Sequence, residues 1–346
     1  MSDPSHPDLP APLVDPGEII PGGPPPDGIP SIDEPVFVTV DEADVWLDDR
    51  EPVVYLALGG EVHAYPVQII IWHEIVNDEV GGTPVAVTYC PLCNSAVSYR
   101  RVVDGVTTTF GTSGQLYASA LVMYDRATES LWTHFDGRAV AGVLTGHELE
   151  PLPSPLLAWG DFKAAFPEGV VLDRDATGYA RPYGSNPYAG YDDPDTFPFL
   201  FRGDVDARAR AKQRVVGVVV GDMATAWTLE AISEGSARAT NASVGDAPVT
   251  ILWKAGQVSA LDTGIPEEGN DVGSVGVFSP VVDDRVLTFT ASGEVFVDDQ
   301  TGTTWDITGS ALAGPLAGRT LEQIHHFDTF WFAWSTYQPG TDLVGA

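Results

Sequence analysis

Two cysteines, the only ones in the chain, stand three residues apart in the segment Cys90-Pro-Leu-Cys93. This segment directly follows the strand-like run Val85-Ala-Val-Thr-Tyr89, so a turn after a strand can present both sulfurs to one point. A Cys-x-x-Cys pair serves as a two-thiolate metal clamp or as a dithiol–disulfide redox couple. A structural disulfide or two ordinary buried cysteines are the plainer interpretations.

A metal ion held by this pair needs further ligands, because zinc is usually four-coordinate and the chain has no second Cys-x-x-Cys. His73 is favoured as the third ligand, since Trp72-His-Glu74 ends a predicted short helix just before the next strand. The further candidates are His63, Met123 and His134. Thiolate, thioether and imidazole donors suit copper(I) or zinc. We therefore predict one copper or zinc ion, while His73 alone is equally typical of a hydrogen-bonded structural histidine.

Two other classes of function stay open. In a thiol–disulfide oxidoreductase, Cys90 would be the attacking thiolate and Cys93 the resolving thiol. The residues that follow, Ser95-Ala-Val-Ser-Tyr-Arg100, predict a strand, so no helix N-terminus is expected to lower a thiol pKa. In a non-enzymatic binding or interaction module, aromatic-rich β units would grip a small ligand and the cysteines would form a structural disulfide. No phosphate-binding loop for a nucleotide cofactor is present, because none of the three lysines follows a glycine. Whether the protein is an enzyme is left undecided.

The elements that must position these residues are mostly strands. Short β-branched segments alternate with Gly pairs and Asp-Gly turns, which predicts a mainly β (α+β) fold. Short helices are expected after Pro66 and over about 155–166.

Comparison of the chain with itself shows an internal duplication. The matching pairs are Pro84–Tyr89 with Pro248–Trp253, Ser95-Ala96 with Ser259-Ala260, and Thr128–Trp132 with Thr301–Trp305. Cys90 and Cys93 fall opposite Lys254 and Gln257. A unit of this architecture can therefore be built without thiols, which points to a function confined to the first copy.

The repeat and the composition together predict four regions. Residues 1–35, which hold eleven of the 28 prolines, should form an extended arm. A first β-rich unit with the cysteines is expected over 36–175, a linker rich in Pro, Gly, Tyr and Asp over 176–212, and a second unit without cysteines over 213–346.

The formal net charge of −32 excludes several classes of partner. Nucleic acid and anionic membrane surfaces would be repelled, because their recognition depends on basic residues. Such an acidic surface is typical of adaptation to high salt. No apolar run of 18 residues and no signal peptide occur in the sequence, so direct membrane insertion is not expected. The expected partner is a small ligand or a metal ion, and the oligomeric state is open.

Several separated motifs resemble one family. They are Asp27–Asp33, Ala64-Tyr-Pro66, Trp72–Asp78, Val87–Ala96, Leu121–Asp125, Ser130-Leu-Trp132 and Phe330–Trp334. Together they resemble the DUF3179 family of uncharacterised prokaryotic proteins, from about residue 15 to the end. The resemblance marks the segments around His73, Cys90 and Cys93 as family motifs. Because members often begin with an export signal, it also implies an extracytoplasmic location, with a cytoplasmic one as the alternative.

Overall fold

Strands dominate the protein, as the alternating apolar segments predict. The computed structural model describes residues 9–346, and the mainly β fold class with a few short helices is confirmed. The helices are α1 (Val40–Ala43), α2 (Val67–Ile70), α3 (Trp159–Ala165), α4 (Leu229–Ile232) and α5 (Trp331–Tyr337), with 3-10 turns at Pro16–Glu18 and Pro266–Glu268.

The first half of the chain forms sixteen of the strands. They are β1 (Ile20–Pro21), β2 (Phe37–Thr39), β3 (Pro52–Leu58), β4 (Glu61–Pro66), β5 (Ile75–Val80), β6 (Thr83–Cys90), β7 (Ser95–Arg100), β8 (Val102–Val103), β9 (Val106–Thr107), β10 (Phe110–Tyr117), β11 (Ala120–Asp125), β12 (Leu131–Thr133), β13 (Ala139–Ala141), β14 (Pro151–Leu152), β15 (Leu156–Ala158) and β16 (Val170–Leu172).

The second half forms the remaining described strands. They are β17 (Arg214–Val220), β18 (Met223–Thr228), β19 (Ala237–Val244), β20 (Ala247–Lys254), β21 (Ser274–Ser279), β22 (Val281–Val282), β23 (Arg285–Val286), β24 (Phe289–Ser292), β25 (Val295–Asp298), β26 (Thr304–Trp305), β27 (Ala311–Ala313), β28 (Glu322–Gln323), β29 (His326–Phe330) and β30 (Asp342–Val344).

The sheet topology confirms the internal duplication. The order β14-β7-β6-β5 in the first copy recurs as β28-β21-β20-β19 in the second, and β15-β3-β4-β16 recurs as β29-β17-β18-β30. The third sheet, β10-β11-β12-β13, recurs as β24-β25-β26-β27. The small hairpin β8-β9 has its counterpart in β22-β23. Strands β1 and β2 are additions to the sheets of the first copy.

A buried tryptophan and a carboxylate repeat the same contact in both copies. The indole nitrogen of Trp132 donates to Asp125 Oδ2 over 3.0 Å, and that of Trp305 donates to Asp298 Oδ2 over 3.0 Å. Each aspartate ends a strand and begins the turn that leads back to its tryptophan. The Thr-x-x-x-Trp repeat in the sequence therefore marks one turn that is built twice.

The two copies share their cores through their longest helices. Helix α5 of the second copy lies in the same apolar cluster as Cys90 and Cys93 of the first. Conversely, Trp159 and Phe162 of helix α3 pack in a cluster with Phe278 and Trp305 of the second copy. Because each copy is completed by a helix of the other, the division into units at 36–175 and 213–346 stays a prediction.

One predicted equivalence between the copies is wrong. The sequence matches Ser95 to Ser259, whereas the strand register pairs Cys90 with Ser95 and Lys254 with Ser274. The first copy joins β6 to β7 by a four-residue turn, while the second inserts residues 255–273 between β20 and β21. An insertion of this size shifts the true equivalent beyond the reach of a local sequence match.

The predicted arm and linker both run along the body of the protein. Residues 1–8 of the arm lie outside the described residues, but Ile20–Pro21 pairs with β10 and Arg126 binds both Asp27 and Asp33. The segment 176–212 contains no helix or strand, and its Tyr191 amide donates to the Leu261 carbonyl over 3.1 Å. Within residues 9–346, no helix is long and apolar enough to cross a membrane.

Candidate metal centre

The Cys-Pro-Leu-Cys segment is the turn between two central strands of the first copy. Cys90 ends β6, Ser95 begins β7, and the two residues are paired across the turn. Asn94 closes it with a left-handed backbone at φ 51°, a conformation that Asn adopts more readily than most residues. The turn therefore places both cysteine side chains at the end of a sheet, as the sequence predicts.

The second copy holds this turn in place. The carbonyl of Cys93 accepts hydrogen bonds from the Phe330 amide over 3.1 Å and from the Thr329 hydroxyl over 2.7 Å. Both donors belong to β29, more than two hundred residues further along the chain. The position of Cys93 thus depends on the packing of one copy against the other.

Both sulfurs are free thiols that lie inside the protein and have hydrogen-bond partners. Cys90 is 2% exposed and Cys93 is fully buried. The Leu121 amide donates to Cys90 Sγ over 3.4 Å, and Cys93 Sγ lies 3.1 Å from the Ser95 hydroxyl. Hydrogen bonds of this kind orient sulfur ligands and stabilise the thiolate form.

His134 completes the group. Its imidazole and the two sulfurs lie with their donor atoms all within 4.8 Å of one another. The backbone amide of His134 donates to the Leu121 carbonyl over 3.0 Å, and the Tyr99 hydroxyl donates to the His134 carbonyl over 2.8 Å. By contrast, neither ring nitrogen has a hydrogen-bond partner among residues 9–346, although both are buried. A buried histidine with both nitrogens unpartnered is rare in proteins.

The ionisation of the three groups follows from burial and from their closeness. Burial lowers the pKa of His134 to about 3, so the ring is neutral and free to donate an electron pair. Burial raises the pKa of Cys93 well above its usual value, and the neighbouring Cys90 raises it further. Burial also acts to raise the pKa of Cys90, but hydrogen bonds from Cys93 and from the Leu121 amide bring it below its usual value. Cys90 is thus the sulfur that loses its proton first.

The structure places the other histidine candidates outside this group. In His73, Nδ1 lies 2.7 Å from the Pro30 carbonyl and Nε2 lies 2.6 Å from the Tyr183 hydroxyl. The ring therefore donates from Nδ1 and accepts at Nε2, which leaves it no lone pair for a metal. His63 Nδ1 likewise binds Asp78 Oδ2 over 2.8 Å. His134, and not His73, lies beside the two cysteines, because the Pro30 carbonyl and the Tyr183 hydroxyl hold the His73 ring elsewhere.

The remaining candidate, Met123, lies in the strand that also carries Leu121, whose amide donates to Cys90 Sγ. It is fully buried on β11, two residues after Leu121, so both side chains face the same side of the sheet. It also belongs to the apolar cluster that contains both cysteines. Two contacts that the sequence prediction missed are the Leu121 amide and the Ser95 hydroxyl. Of these, only the Ser95 hydroxyl could have been expected from the sequence, because Ser95 stands two residues after Cys93.

The fold and this group define a class: a duplicated, mainly β protein with one buried pair of thiols and an imidazole in its first copy. The chain belongs to the DUF3179 family, described as a protein of unknown function, whose profile matches residues 26–341. The match confirms the resemblance seen in the sequence motifs. No curated protein and no solved structure was found to be similar to the chain.

Proposed function

We propose that Cys90, Cys93 and His134 bind one copper or zinc ion. The observation that carries the proposal is the imidazole of His134, which lies beside two thiols and whose two buried ring nitrogens have no partner in the part of the chain that the structure describes. Leaving a buried polar group unpaired costs roughly 1–3 kcal/mol. A metal ion bound to one nitrogen would offset this cost, and its binding to both sulfurs as thiolates would release the proton of each thiol that is still protonated.

The donor set favours a soft ion. Two thiolates and one imidazole are sufficient for copper(I), whereas zinc usually takes a fourth ligand. The Met123 thioether, on the same face of the sheet as Leu121, is the remaining soft donor among the candidates that the sequence offers. The donors are 0–2% exposed, so a bound ion would have no position open to bulk water. Such a closed site favours storage, delivery or a structural role for the ion over hydrolytic catalysis.

Elemental analysis of the purified protein tests this proposal. The protein is produced in medium supplemented with copper or zinc, and the metal content and the free thiols are measured before and after chelation. We expect one equivalent of metal in the wild type, with both thiols blocked until the metal is removed. Cys90→Ser and His134→Gln should each lose the metal. His147→Gln is the matched control, because His147 lies outside the group and binds the exposed Asp104.

A metal-free protein overturns the proposal if it also takes up neither ion when titrated under reducing, anaerobic conditions. The same outcome would follow if His134→Gln retained stoichiometric metal, because the role assigned to His134 would then be wrong.

A second candidate function is thiol–disulfide exchange, which the closeness of the two sulfurs favours. In that reaction Cys90 and Cys93 would form a disulfide, and a substrate disulfide would take up two electrons and two protons to become two thiols. Burial of Cys90 opposes it, because a protein disulfide cannot reach a sulfur that is 2% exposed. A metal-free protein whose Cys90–Cys93 bond forms and is reduced reversibly would favour this candidate over metal binding.

A further inference from the structure

A cavity of about 660 Å³ lies next to the cysteine turn, whose Leu92 forms part of its wall. Its walls come from the N-terminal arm, from strands β10 and β11, and from the segment 187–199, and they include Leu92 and Leu121. Cavities of this size hold small organic molecules in other proteins. The three donors of the candidate metal centre do not line it, although Leu92 stands between the two cysteines in sequence and the Leu121 amide donates to Cys90 Sγ.

Glu74 supplies an acid to this cavity that the fold does not use. Its side chain lines the cavity, the residue is 8% exposed, and within residues 9–346 its carboxylate has no hydrogen bond. Its backbone is left-handed, at φ 60°, where Gly or Asn would be less strained. A buried, unpartnered carboxyl group in a strained position is unfavourable for the empty protein. A ligand that binds this carboxyl group would offset the unfavourable free energy.

Glu74 and Tyr188 are two polar side chains of the cavity that can bind a ligand, whereas Lys212 is already engaged. Lys212 also lines the cavity, but its ammonium binds the Tyr191 carbonyl and the Thr196 hydroxyl and lies over the Tyr191 ring. It therefore braces the wall and has little left to offer an anion. The half-buried Tyr188 has no hydrogen bond to its hydroxyl within the described chain, and its ring lies close enough to Glu74 to sense that charge. Glu74 and Tyr188 remain as an acceptor pair.

The carboxyl group of Glu74 favours a cationic occupant. Burial, and to a lesser extent Cys90, raises its pKa to about 8, so it is largely protonated in the empty protein near neutral pH, and a bound ammonium group would favour its carboxylate form. A carboxylate with a neighbouring phenol oxygen accepts hydrogen bonds from an ammonium group, and such charge-assisted bonds are about twice as strong as neutral ones. Aromatic faces such as that of Tyr188 attract a cation as well. The net charge of −32 raises the local concentration of cations and repels anions.

We propose that this cavity is a binding site for a compact aromatic amine, whose protonated nitrogen is held by Glu74 and Tyr188 and whose ring packs against Leu92 and Leu121. None of Cys90, Cys93 and His134 lines the cavity, so the site is a second one beside the candidate metal centre. The two sites are neighbours, because Cys90 contributes to raising the pKa of Glu74.

Three probes of the same shape test the proposal, namely tryptamine, tryptophol and indolepropionate. Their binding to the full chain is measured by isothermal titration calorimetry. We expect tryptamine to bind at least tenfold more tightly than the neutral tryptophol, and indolepropionate to show no measurable binding. In Glu74→Gln the affinity for tryptamine should fall at least tenfold to that of tryptophol, while the affinity for tryptophol should change little.

Two further variants keep the test decisive. Glu79→Gln removes an exposed carboxylate from β5, the strand that begins directly after Glu74, and should leave tryptamine binding unchanged. Tyr188→Phe removes only a hydroxyl and should weaken tryptamine binding severalfold, which provides a result even if Glu74→Gln does not fold. The proposal is overturned if tryptamine does not bind, if it binds no better than tryptophol, if indolepropionate competes with it, or if a folded Glu74→Gln binds it as the wild type does.

Discussion

Cys90 and Lys254 occupy the same place in the two copies, each as the last residue of the second strand of its sheet. In the first copy this position contributes a sulfur to the group with Cys93 and His134. In the second copy the ammonium of Lys254 lies 2.5 Å from Asp161 of helix α3. One fold thus places either a soft ligand group or an ion pair at one structural position.

The ion pair between Lys254 of the second copy and Asp161 of the first should contribute strongly to the stability of the protein. Lys254→Met leaves Asp161 in a largely buried place without its partner, which should cost roughly 2–4 kcal/mol. Asp161→Asn in the same background should recover much of this loss, because the uncompensated charge is gone. Chemical denaturation of the single and double variants measures the effect. Equal stability of Lys254→Met and the wild type would contradict this prediction, because it would show that water solvates Asp161 in the folded protein.

Replacing His134 by leucine should have opposite effects with and without metal. In the metal-free protein, His134→Leu removes two unpartnered buried nitrogens, so the free energy of unfolding should stay equal or rise by about 1 kcal/mol. With metal at a hundredfold excess over its dissociation constant, the wild type should gain about 2.7 kcal/mol and the variant nothing. Thermal unfolding with chelator and with metal measures both. A variant destabilised in chelator would mean that the imidazole packs favourably without an ion.

His73 should be dispensable for metal binding. His73→Gln loses one of the bonds to Pro30 and Tyr183 and should lower the free energy of unfolding by about 1–2 kcal/mol, but metal content should stay at one equivalent. Tyr183→Phe, which removes one of the same bonds, is its matched control. Loss of metal in His73→Gln alone would restore His73 as the favoured ligand.

Glu51 should make the protein less stable as the pH rises towards neutrality. Burial raises the pKa of this carboxyl from 4.5 to about 7, against hydrogen bonds from Asp48 and Gln68. The folded state therefore holds a proton that the unfolded state has released, and stability falls between these two pH values by at most about 3 kcal/mol. Glu51→Gln should flatten this part of the stability curve, and the exposed Glu168→Gln should not. An unchanged slope in Glu51→Gln would contradict the assignment.

High salt should stabilise the protein. The net charge of −32 causes self-repulsion that is screened over about 10 Å at 0.1 M salt and about 3 Å at 1 M. The midpoint of thermal unfolding should thus rise by several degrees from 0.1 to 2 M KCl at neutral pH. At about pH 4, where many carboxylates are protonated, the rise should be much smaller. A midpoint independent of salt at neutral pH would identify the protein as merely acidic.

The local patterns of the chain predicted the fold class and the duplication. Apolar, β-branched segments separated by Gly and Asp-Gly turns, and a turn repeated at Trp132 and Trp305, are properties of neighbouring residues, so a sequence shows them directly. The sequence match assigned the wrong equivalent to Ser95, because the insertion of residues 255–273 separates Ser274 from its strand partner Lys254. A local comparison of the sequence cannot detect an equivalent residue that an insertion has moved along the chain.

The sequence by itself determined that two thiols stand in the turn after β6 of the first copy alone, since spacing and composition are local and the second copy serves as a comparison. Only the tertiary structure decided which histidine joins them. His73 and His134 are both within about 50 residues of Cys90, but the Pro30 segment and Tyr183 occupy both nitrogens of His73, while the pairing of β11 with β12 brings His134 to the sulfurs. Those contacts arise from residues far apart in the chain, and it is the packing of the sheets that selects between chemically identical side chains.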